Sequence, residues 1–365
     1  MTETIKRIVL VIPSLQTGGM ERVMSELAGY FATKPSIELH LILYGIKRET
    51  FYALPSNITI YKPAFEFDNA KRILSTIKTL FFLRKKINEL QPTTVLSFGE
   101  YWNSFVLLAL IGSKVPVFVS DRCQPNKNIG KFHEFLRKRL YPYAAGIIAQ
   151  TAIAKSIYIK KKLNNNITVI GNPIRLIDNK EKIEKENIIL SVGRLIKTKH
   201  HDELIKLFIK INKPGWKLFI VGDDALKQNN LQLLQKLVDE LGATGTVILA
   251  GKQSDVELFY RRSKIFAFPS SSEGFPNVVG EAQSAGLPVI AFDCTAGPSE
   301  MITDGENGFL VPVFDYNIFE QRLETLMENQ QLVIDLGENA KLSVRRFSIE
   351  SIGDSFENFI LNTSI

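Results

Sequence analysis

Short apolar runs rich in β-branched residues alternate with amphipathic helical patterns along almost the whole chain. This alternation is typical of parallel β-sheets with helices on both faces, because each parallel strand needs a long crossover connection. A chain of 365 residues is also too long for one hydrophobic core of ordinary size. The sequence therefore predicts an α/β protein with two doubly wound domains and a cleft.

Strands are expected in two successive sets. The first set covers residues 8–12, 38–43, 58–61, 94–97, 116–120, 146–150 and 168–170. The second set covers residues 188–192, 217–221, 247–250, 265–268, 288–291 and 309–311. A Gly-Asn-Pro turn at residues 171–173 and a charged stretch at 179–187 separate the sets, so the domain boundary is expected near residues 172–187.

Charge is divided unevenly between the two halves. Residues 1–177 hold 25 Lys and Arg against 11 Asp and Glu, an excess of 14 positive charges. The remaining residues hold 20 against 27, an excess of 7 negative charges, which agrees with the net charge of +7. A basic half can face nucleic acid, anionic lipid or a phosphorylated substrate, and the sign of the charge does not choose among them.

Several classes of protein are disfavoured by what the sequence contains. Cys123 and Cys294 are the two cysteines, one in each half, and the four histidines show no HExxH spacing, so a disulfide framework or a zinc site is not expected. The first residues enter a strand without a signal core, and no apolar run approaches the roughly 20 residues that span a bilayer. We therefore expect a cytoplasmic protein that needs no metal.

Two short segments at predicted strand ends could bind phosphate. Gly18 and Gly19 follow the first strand, where bare backbone amides can approach an anion, although a full GxGxxG pattern is absent and a simple turn is the alternative. Gly193 and Arg194 follow the first strand of the second half, and Lys199 lies five residues further on. These two cations suit a diphosphate, and the alternative is a solvated basic loop.

The segment at residues 269–281 carries the most specific pattern. Glu273 ends a loop after a strand, and Glu281 lies within the next helix, so the two carboxylates can reach different parts of one extended ligand. A carboxylate accepts hydrogen bonds from two hydroxyl groups, as the diols of ribose and hexose require. The amides from Gly274 onward form a helix N-terminus directed at negative charge. The alternative is a capping loop with two exposed glutamates.

Together these segments resemble a known family. EGFPNVVGE at 273–281, VGRL at 192–195 with Lys199, TGGMERV at 17–23 and the later AxxxGLPVI at 282–290 resemble the family 4 retaining glycosyltransferases of the GT-B fold, glycosyl transferases group 1. The resemblance covers nearly the whole chain. Within the family, the sequence is similar to bacterial N-acetylgalactosaminyl and hexosaminyl transferases of surface glycan assembly. It implies two Rossmann-like domains facing a central cleft. Residues 1–172, with a C-terminal helix at 346–365 packing back, would bind the acceptor, and residues 173–345 the nucleotide sugar.

The resemblance also implies roles for individual residues. Glu281 would bind the donor ribose and Glu273 the hydroxyls of the transferred sugar. Arg194 and Lys199 would bind the diphosphate, and these two cations with Glu273 form the expected catalytic set. Gly251 and Lys252 would meet the nucleobase. The full expected donor-binding set is Gly18, Gly19, Gly193, Arg194, Lys199, Gly251, Lys252, Glu273, Gly274, Phe275, Pro276, Asn277, Val278 and Glu281.

The acceptor side departs from the family pattern. Many relatives have a histidine in a loop of the first domain that faces the reacting carbon, whereas the loops here contain Glu100 and Asp121 with Arg122. Either acid could orient or deprotonate the acceptor, and Arg122 could bind an acceptor phosphate. The alternative is a polar loop in which Trp102 packs in the core. Retention in this fold is attributed to front-face attack assisted by the departing phosphate, so a pair of carboxylate nucleophiles is not required.

A basic amphipathic helix is expected at residues 70–90. Such a helix can lie in the interface of an anionic membrane, or it can pack on the sheet with a solvated basic face. Its apolar residues are Ile73, Leu74, Ile77, Leu80, Phe81 and Ile87, and its basic residues are Lys71, Arg72, Lys78, Arg84, Lys85 and Lys86. We therefore expect a peripheral protein at the inner face of the cytoplasmic membrane, with a glycan acceptor carried on a polyprenyl diphosphate.

The predicted activity is transfer of a hexose or N-acetylhexosamine from a UDP-sugar to a glycan acceptor in surface polysaccharide or glycoconjugate synthesis. No cofactor is expected beyond this substrate. A nucleotide-sugar epimerase or hydrolase of the same fold is one alternative, and a basic nucleic-acid-binding protein is another. Glu273 and Glu281 argue against nucleic acid as a partner, because carboxylates repel phosphate backbones.

Overall fold

The computed structural model describes residues 5–177, 183–225 and 228–362. The chain forms two compact units: residues 1–173 with 349–365, and residues 174–348. Part of the expected boundary segment, residues 178–182, lies outside the described residues.

The first unit is built on a parallel sheet of seven strands within the described residues, in the order β3-β2-β1-β4-β5-β6-β7. These strands are β1 Lys6–Ile12, β2 Ile37–Leu43, β3 Thr59–Tyr61, β4 Thr94–Phe98, β5 Val117–Ser120, β6 Gly146–Ala149 and β7 Ile167–Val169. Leu10 pairs with Leu41 on one side and with Leu96 on the other, so β1 is central, and its residues from Ile8 to Ile12 are fully buried. The strand order reverses between β1 and β4, and crevices for ligands form at such points.

Helices cover both faces of this sheet. They are α1 Gly19–Ala32, α2 Arg72–Leu90, α3 Asn103–Ala109, α4 Lys131–Leu140, α5 Ala152–Lys160 and α12 Ile349–Asn362. Alternate residues Val9 and Val11 of β1 belong to one core cluster with residues of α2, α3, α4 and α5. On α12, a Cβ added at Gly353 would lie 2.5 Å from the Tyr30 ring, so this glycine allows close packing against α1.

The second unit has the same design with a parallel sheet of six strands within the described residues, in the order β10-β9-β8-β11-β12-β13. Its strands are β8 Ile188–Val192, β9 Lys217–Val221, β10 Val247–Gly251, β11 Ile265–Phe268, β12 Val289–Phe292 and β13 Gly308–Val311. Its helices are α6 His201–Ile211, α7 Asn230–Glu240, α8 Glu257–Arg262, α9 Asn277–Ser284, α10 Tyr316–Glu328 and α11 Gln330–Ser343. The order reverses between β8 and β11.

The fold prediction is confirmed, because every expected strand is present and both sheets are parallel. The differences are confined to strand ends. β1 begins at Lys6 rather than at residue 8, because pairing with Ile37 of β2 extends beyond the apolar run. β12 begins after Pro288, which has no N–H to contribute to a ladder. No helix within the described ranges is long and apolar enough to cross a bilayer.

Candidate functional site

The residues predicted to bind the diphosphate and sugar lie at the switch point of the second sheet. One loop follows β8 and contains Gly193 to His200, and the other follows β11 and contains Pro269 to Pro276. The Ser271 N–H donates to the Thr198 carbonyl oxygen at 2.9 Å, which joins the two loops. Ligands of doubly wound sheets bind outside the carboxyl ends of the strands at this position.

Two glycines shape the first loop. A Cβ added at Gly222, at the end of β9, would lie 1.8 Å from the Gly193 carbonyl oxygen, so only a glycine fits there. A Cβ added at Gly193 would lie 3.6 Å from Lys199 Nζ, which shows that the Gly193 backbone borders the ammonium group. The sequence analysis did not single out Gly222. Its position directly after a strand was the signal that could have indicated it.

Lys199 and Glu273 form the centre of the site. Lys199 Nζ lies 2.5 Å from Glu273 Oε1, and their side chains are 12% and 14% exposed. The ammonium also lies 4.6 Å from the centre of the Phe268 ring, in a cation–π contact. The pair is largely but not fully buried, so water screens the attraction between its two charges less than at an open surface.

Arg194 and Lys197 both lie on the exposed side of the same loop. Arg194 lies two residues after the end of β8, and the next residue, Leu195, is buried and anchors the loop to the core. Lys197 is exposed as well. Contact between Arg194 and a diphosphate stays a prediction.

Glu281 lies in α9 on the other side of an aromatic row. The Tyr260 hydroxyl donates to Glu281 Oε2 at 3.1 Å. The Tyr260 ring packs on Phe266 at 5.8 Å between ring centres, and Phe266 stacks on Phe268, which lies beneath Lys199. The two predicted sugar-binding acids thus share one unit, with a row of aromatic rings between them, and this arrangement suits an extended ligand.

Some backbone N–H groups of the segment between Glu273 and Glu281 already donate hydrogen bonds within that segment. The Asn277 N–H donates to the Phe275 carbonyl at 3.1 Å, and the Val279 N–H donates to the Pro276 carbonyl at 2.9 Å. Pro276 has no N–H, and the Phe275 side chain is buried against Phe347. The Asn277 and Val279 amides are therefore engaged within the segment, so the predicted role of this helix N-terminus in binding negative charge depends on the remaining amides. The amides of Gly274, Phe275 and Val278 can still serve that role.

The predicted nucleobase contact lies at the end of β10. Gly251 has a positive φ of 65°, which favours glycine, and its carbonyl accepts a hydrogen bond from the Gly222 N–H at 3.0 Å. Lys252 is exposed. This strand end is next to β9, so the predicted nucleobase position continues along the same sheet edge from the Gly193 loop.

Gly18 and Gly19 lie at the start of α1 in the first unit. The Tyr52 hydroxyl donates to the Gly18 carbonyl at 3.0 Å, and a Cβ added at Gly18 would lie 2.1 Å from Glu21 Oε2. Burial raises the pKa of the Glu21 carboxyl. The Tyr52 hydroxyl thus holds this turn, and Glu21 is a half-buried acid beside it that the sequence analysis did not identify.

The predicted acceptor acids differ in their surroundings. Asp121 is 2% exposed and accepts hydrogen bonds from Arg137, from the Tyr141 hydroxyl at 2.5 Å and from Asn103 Nδ2 at 3.1 Å. Three donors occupy both of its oxygens, so this arrangement favours a structural role. Glu100 is also buried, and Lys127 Nζ lies 3.7 Å from its Oε1.

Arg122 is held by aromatic and polar contacts. Its guanidinium lies 3.6 Å from the centre of the Phe98 ring, and Nη1 donates to Asn172 Oδ1 at 2.7 Å. Burial lowers its pKa to about 9. The alternative in which Trp102 packs in the core is wrong, because 41% of Trp102 is exposed. An acceptor role for Glu100, Asp121 or Arg122 stays a prediction.

The described residues contain no cluster of three or more His, Cys, Asp or Glu side chains arranged to hold a metal ion. This finding concerns only side chains that could act as ligands. Catalysis without a metal ion stays a prediction.

Family models match both units. Glycosyltransferase Family 4 matches residues 17–176, and Glycosyl transferases group 1 matches residues 174–343. An uncharacterized glycosyltransferase of Haemophilus influenzae is 29% identical, with 94% of this chain and 96% of the relative covered. The capsular polysaccharide biosynthesis glycosyltransferase CapM of Staphylococcus aureus is 30% identical, with 65% of this chain and 67% of the relative covered.

Another similar protein comes from Campylobacter jejuni. It is the GalNAc-alpha-(1->4)-GalNAc-alpha-(1->3)-diNAcBac-PP-undecaprenol alpha-1,4-N-acetyl-D-galactosaminyltransferase, 26% identical over 97% of this chain and 98% of the relative. Among solved structures, Anabaena HepE in complex with UDP has a TM-score of 0.80 at 17% identity, with 97% of this chain and 99% of HepE covered. The chain therefore belongs to the glycosyltransferases of the GT-B fold, with a family 4 region followed by a group 1 region.

Proposed function

We propose that this glycosyltransferase moves a hexose or an N-acetylhexosamine from a UDP-sugar to a lipid-linked glycan, with retention of configuration and without a metal ion. The observation that carries the proposal is the Lys199–Glu273 pair at the switch point of the second sheet. It places a cation and a hydroxyl acceptor side by side, where a sugar and its phosphate would meet.

The chemistry follows from charge. The bond between the anomeric carbon and the phosphate oxygen breaks as the acceptor oxygen bonds to the same face of that carbon. The acceptor proton passes to the departing phosphate oxygen. Negative charge grows on the diphosphate during this step, and Lys199, with Arg194 from the exposed loop, would stabilise it.

The relatives support the choice of substrates. HepE was solved with UDP, and the Campylobacter relative is named for transfer of N-acetylgalactosamine to an undecaprenol-linked glycan. CapM is named for capsular polysaccharide biosynthesis. These names favour a UDP-sugar donor and a polyprenyl-linked acceptor in bacterial surface glycan synthesis.

A two-step experiment tests the proposed reaction. Thermal-shift measurements against a panel of nucleotide sugars should show stabilisation by one UDP-sugar, because a ligand bound to the folded state raises apparent stability by mass action. Incubation of that donor with an acceptor glycan on a polyprenyl diphosphate, followed by proton NMR, should show the donor's anomeric coupling retained in the product. Free sugar would favour a hydrolase, and an epimerised nucleotide sugar would favour an epimerase.

We propose that the acceptor lies in an anionic membrane, and the outward face of α2 supports this proposal. The helix is packed inward through Ser75, Thr79, Leu83 and Ile87. On the opposite side Ile73, Leu74, Ile77 and Phe81 face outward, with Ile73 79% and Phe81 69% exposed. Packing on the sheet with a solvated basic face therefore does not fully describe this helix. Its outward side also has a row of apolar side chains among the basic ones.

Helix α4 extends this surface. Phe132, Phe135 and Tyr143 are exposed at this helix and directly after it, and the Arg139 guanidinium lies 5.5 Å from the centre of the Phe135 ring. Because α2, α3 and α4 all bury residues in one core cluster, they cover the same face of the sheet and point outward together. Exposed apolar side chains among basic ones are typical of proteins that lie in the interface of anionic lipid.

Vesicle sedimentation tests the membrane proposal. The protein should pellet with vesicles of phosphatidylcholine and phosphatidylglycerol more than with phosphatidylcholine alone, and Phe81→Ser with Phe132→Ser should weaken this binding. A matched control is Leu342→Ser in α11, where an apolar residue of similar exposure lies in the acidic unit. Equal pelleting of wild type with both vesicle types, or no effect of the paired change, would contradict the proposal.

A further inference from the structure

A buried serine contacts the predicted sugar-binding acid. Ser270 is fully buried in the loop after β11, and its hydroxyl lies 2.5 Å from Glu273 Oε1. Two carbonyl oxygens are further away, that of Thr198 at 3.3 Å and that of Ser272 at 3.5 Å. Because a hydroxyl has one proton, the short contact to the carboxylate is the bond that Ser270 donates.

The same carboxylate oxygen also accepts from Lys199. Both contacts that we describe for the Glu273 carboxylate, with Ser270 and with Lys199, are made by Oε1. Two donors restrict the position of this oxygen. Oε2 is then the oxygen that can accept hydrogen bonds from a ligand.

A second link holds the two loops in register. His200 Nε2 lies 2.8 Å from the Ser271 hydroxyl, and the Tyr316 hydroxyl lies 3.5 Å from His200 Nδ1. The His200 backbone is left-handed, with φ at 50°, and its ring packs edge-on against Phe314. Since His200 directly follows Lys199, this link limits how far the lysine can move away from Glu273.

We infer that Ser270 and His200 are positioning residues that hold Glu273 and Lys199 in the geometry required for the transferred sugar. The inference rests on the proposed function and deepens it, because it names residues that act through the acid and the lysine. Neither residue is expected to touch the donor. Their effect is to leave Glu273 Oε2 turned toward the sugar hydroxyls while Oε1 stays paired.

Loss of the serine hydroxyl should change sugar recognition more than nucleotide binding. Without it, the carboxylate can turn toward the ammonium with both oxygens, and a sugar hydroxyl loses its acceptor. We expect Ser270→Ala to lower kcat/KM for the UDP-sugar about 10-fold to 100-fold, as for loss of a hydrogen bond to a charged group. The affinity for UDP alone should stay within about twofold, because UDP has no transferred sugar.

The experiment compares Ser270→Ala with Ser270→Thr and with Ser263→Ala. Ser263 is also buried in the second unit, and its hydroxyl donates to the Phe259 carbonyl at 2.7 Å, away from the site. Ser270→Thr keeps the hydroxyl and should recover part of the activity, whereas Ser263→Ala should behave like wild type. Kinetics with the UDP-sugar and calorimetric titration with UDP supply the two readouts.

The outcomes separate this inference from the proposed function. Equal kinetics for Ser270→Ala and Ser263→Ala, with an active wild type, would overturn the positioning role alone. Parallel losses of UDP affinity and kcat/KM in Ser270→Ala would also overturn it, because they indicate a general loss of structure. A wild type that neither binds nor uses any UDP-sugar would instead contradict the proposed function.

His200 gives an independent test. Asn tolerates left-handed backbone, so His200→Asn keeps the turn and removes the ring that joins Ser271 to Tyr316. A fall of about threefold to tenfold in kcat/KM for the UDP-sugar, with UDP affinity kept, is expected because the effect is one residue removed from the pair. Unchanged kinetics would show that the serine bond alone holds the site.

Discussion

Each unit has an ion pair beside the carboxyl edge of its sheet, but the two pairs differ in access. In the first unit, Asp121 and Arg137 have side chains that are 2% and 3% exposed, and Tyr141 and Asn103 complete the hydrogen bonds of the acid. In the second unit, Lys199 and Glu273 are 12% and 14% exposed and border a glycine backbone. Similar ion pairs at equivalent sheet edges are therefore enclosed in one unit and partly exposed in the other.

This difference in access leads to opposite expectations for mutations. Removing a partner from the enclosed pair leaves an uncompensated charge in the core, so the main effect is on folding. Removing a partner from the accessible pair leaves a charge that water can reach, so the main effect is on ligand and catalysis.

The largest expected effect is on the stability of the first unit. Asp121→Ala should lower the free energy of unfolding by about 3–5 kcal/mol, because Arg137 would remain buried without its partner. Urea denaturation followed by circular dichroism measures this loss. Glu134→Ala is the control, since this acid is a more distant partner of Arg137, at 3.8 Å. A stable Asp121→Ala protein with reduced activity would instead support the predicted acceptor role.

For the accessible pair, Lys199 and Glu273, we expect a large effect on activity and a small effect on stability. Lys199→Ala should lower kcat/KM by about 10²–10³-fold, the usual effect of removing one group that stabilises developing charge, with a small change in the free energy of unfolding. Lys197→Ala is the matched control, because it removes an exposed lysine two residues away in the same turn. Steady-state kinetics and thermal melts separate the effects, and a large loss of stability in Lys199→Ala would remove the contrast between the pairs.

The acid sensitivity of the second unit is the effect that is smallest per pH unit. Burial lowers the pKa of His201, at the start of α6, from 6.5 to about 3, so the imidazole is neutral in the folded protein. Below pH 6.5 the unfolded chain binds a proton that the folded chain does not, and the free energy of unfolding then falls as pH falls. The contribution is complete above pH 6.5 and decreases by about 1.4 kcal/mol per pH unit toward pH 3.

His201→Leu should flatten this dependence. Urea denaturation between pH 4 and pH 7 measures the slope for wild type and variant. The variant removes the titrating group and fills the same buried position with an apolar side chain. Identical slopes would show that other groups cause the acid sensitivity.

Much of the fold could be predicted because its signals are local. Apolar runs and helical periodicity identified every strand, since buried parallel strands need continuous apolar residues. The pattern around Glu273 also brought together residues that do lie at one sheet edge. The outward row of α2 was not predictable in the same way, because Ile73 and Leu83 are equally apolar and only packing decides which one is buried.

By itself the sequence determined the two parallel sheets, the family and the segments that meet at the candidate site, because these depend on residue type and on spacing over short distances. Tertiary structure alone decided which side chains meet across long separations. Ser270 and Lys199 share one oxygen of Glu273, Asp121 is enclosed by Arg137 and Tyr141, and Gly222 lies against Gly193. The physical reason is that accessibility and hydrogen-bond partners depend on how elements distant in the chain pack together.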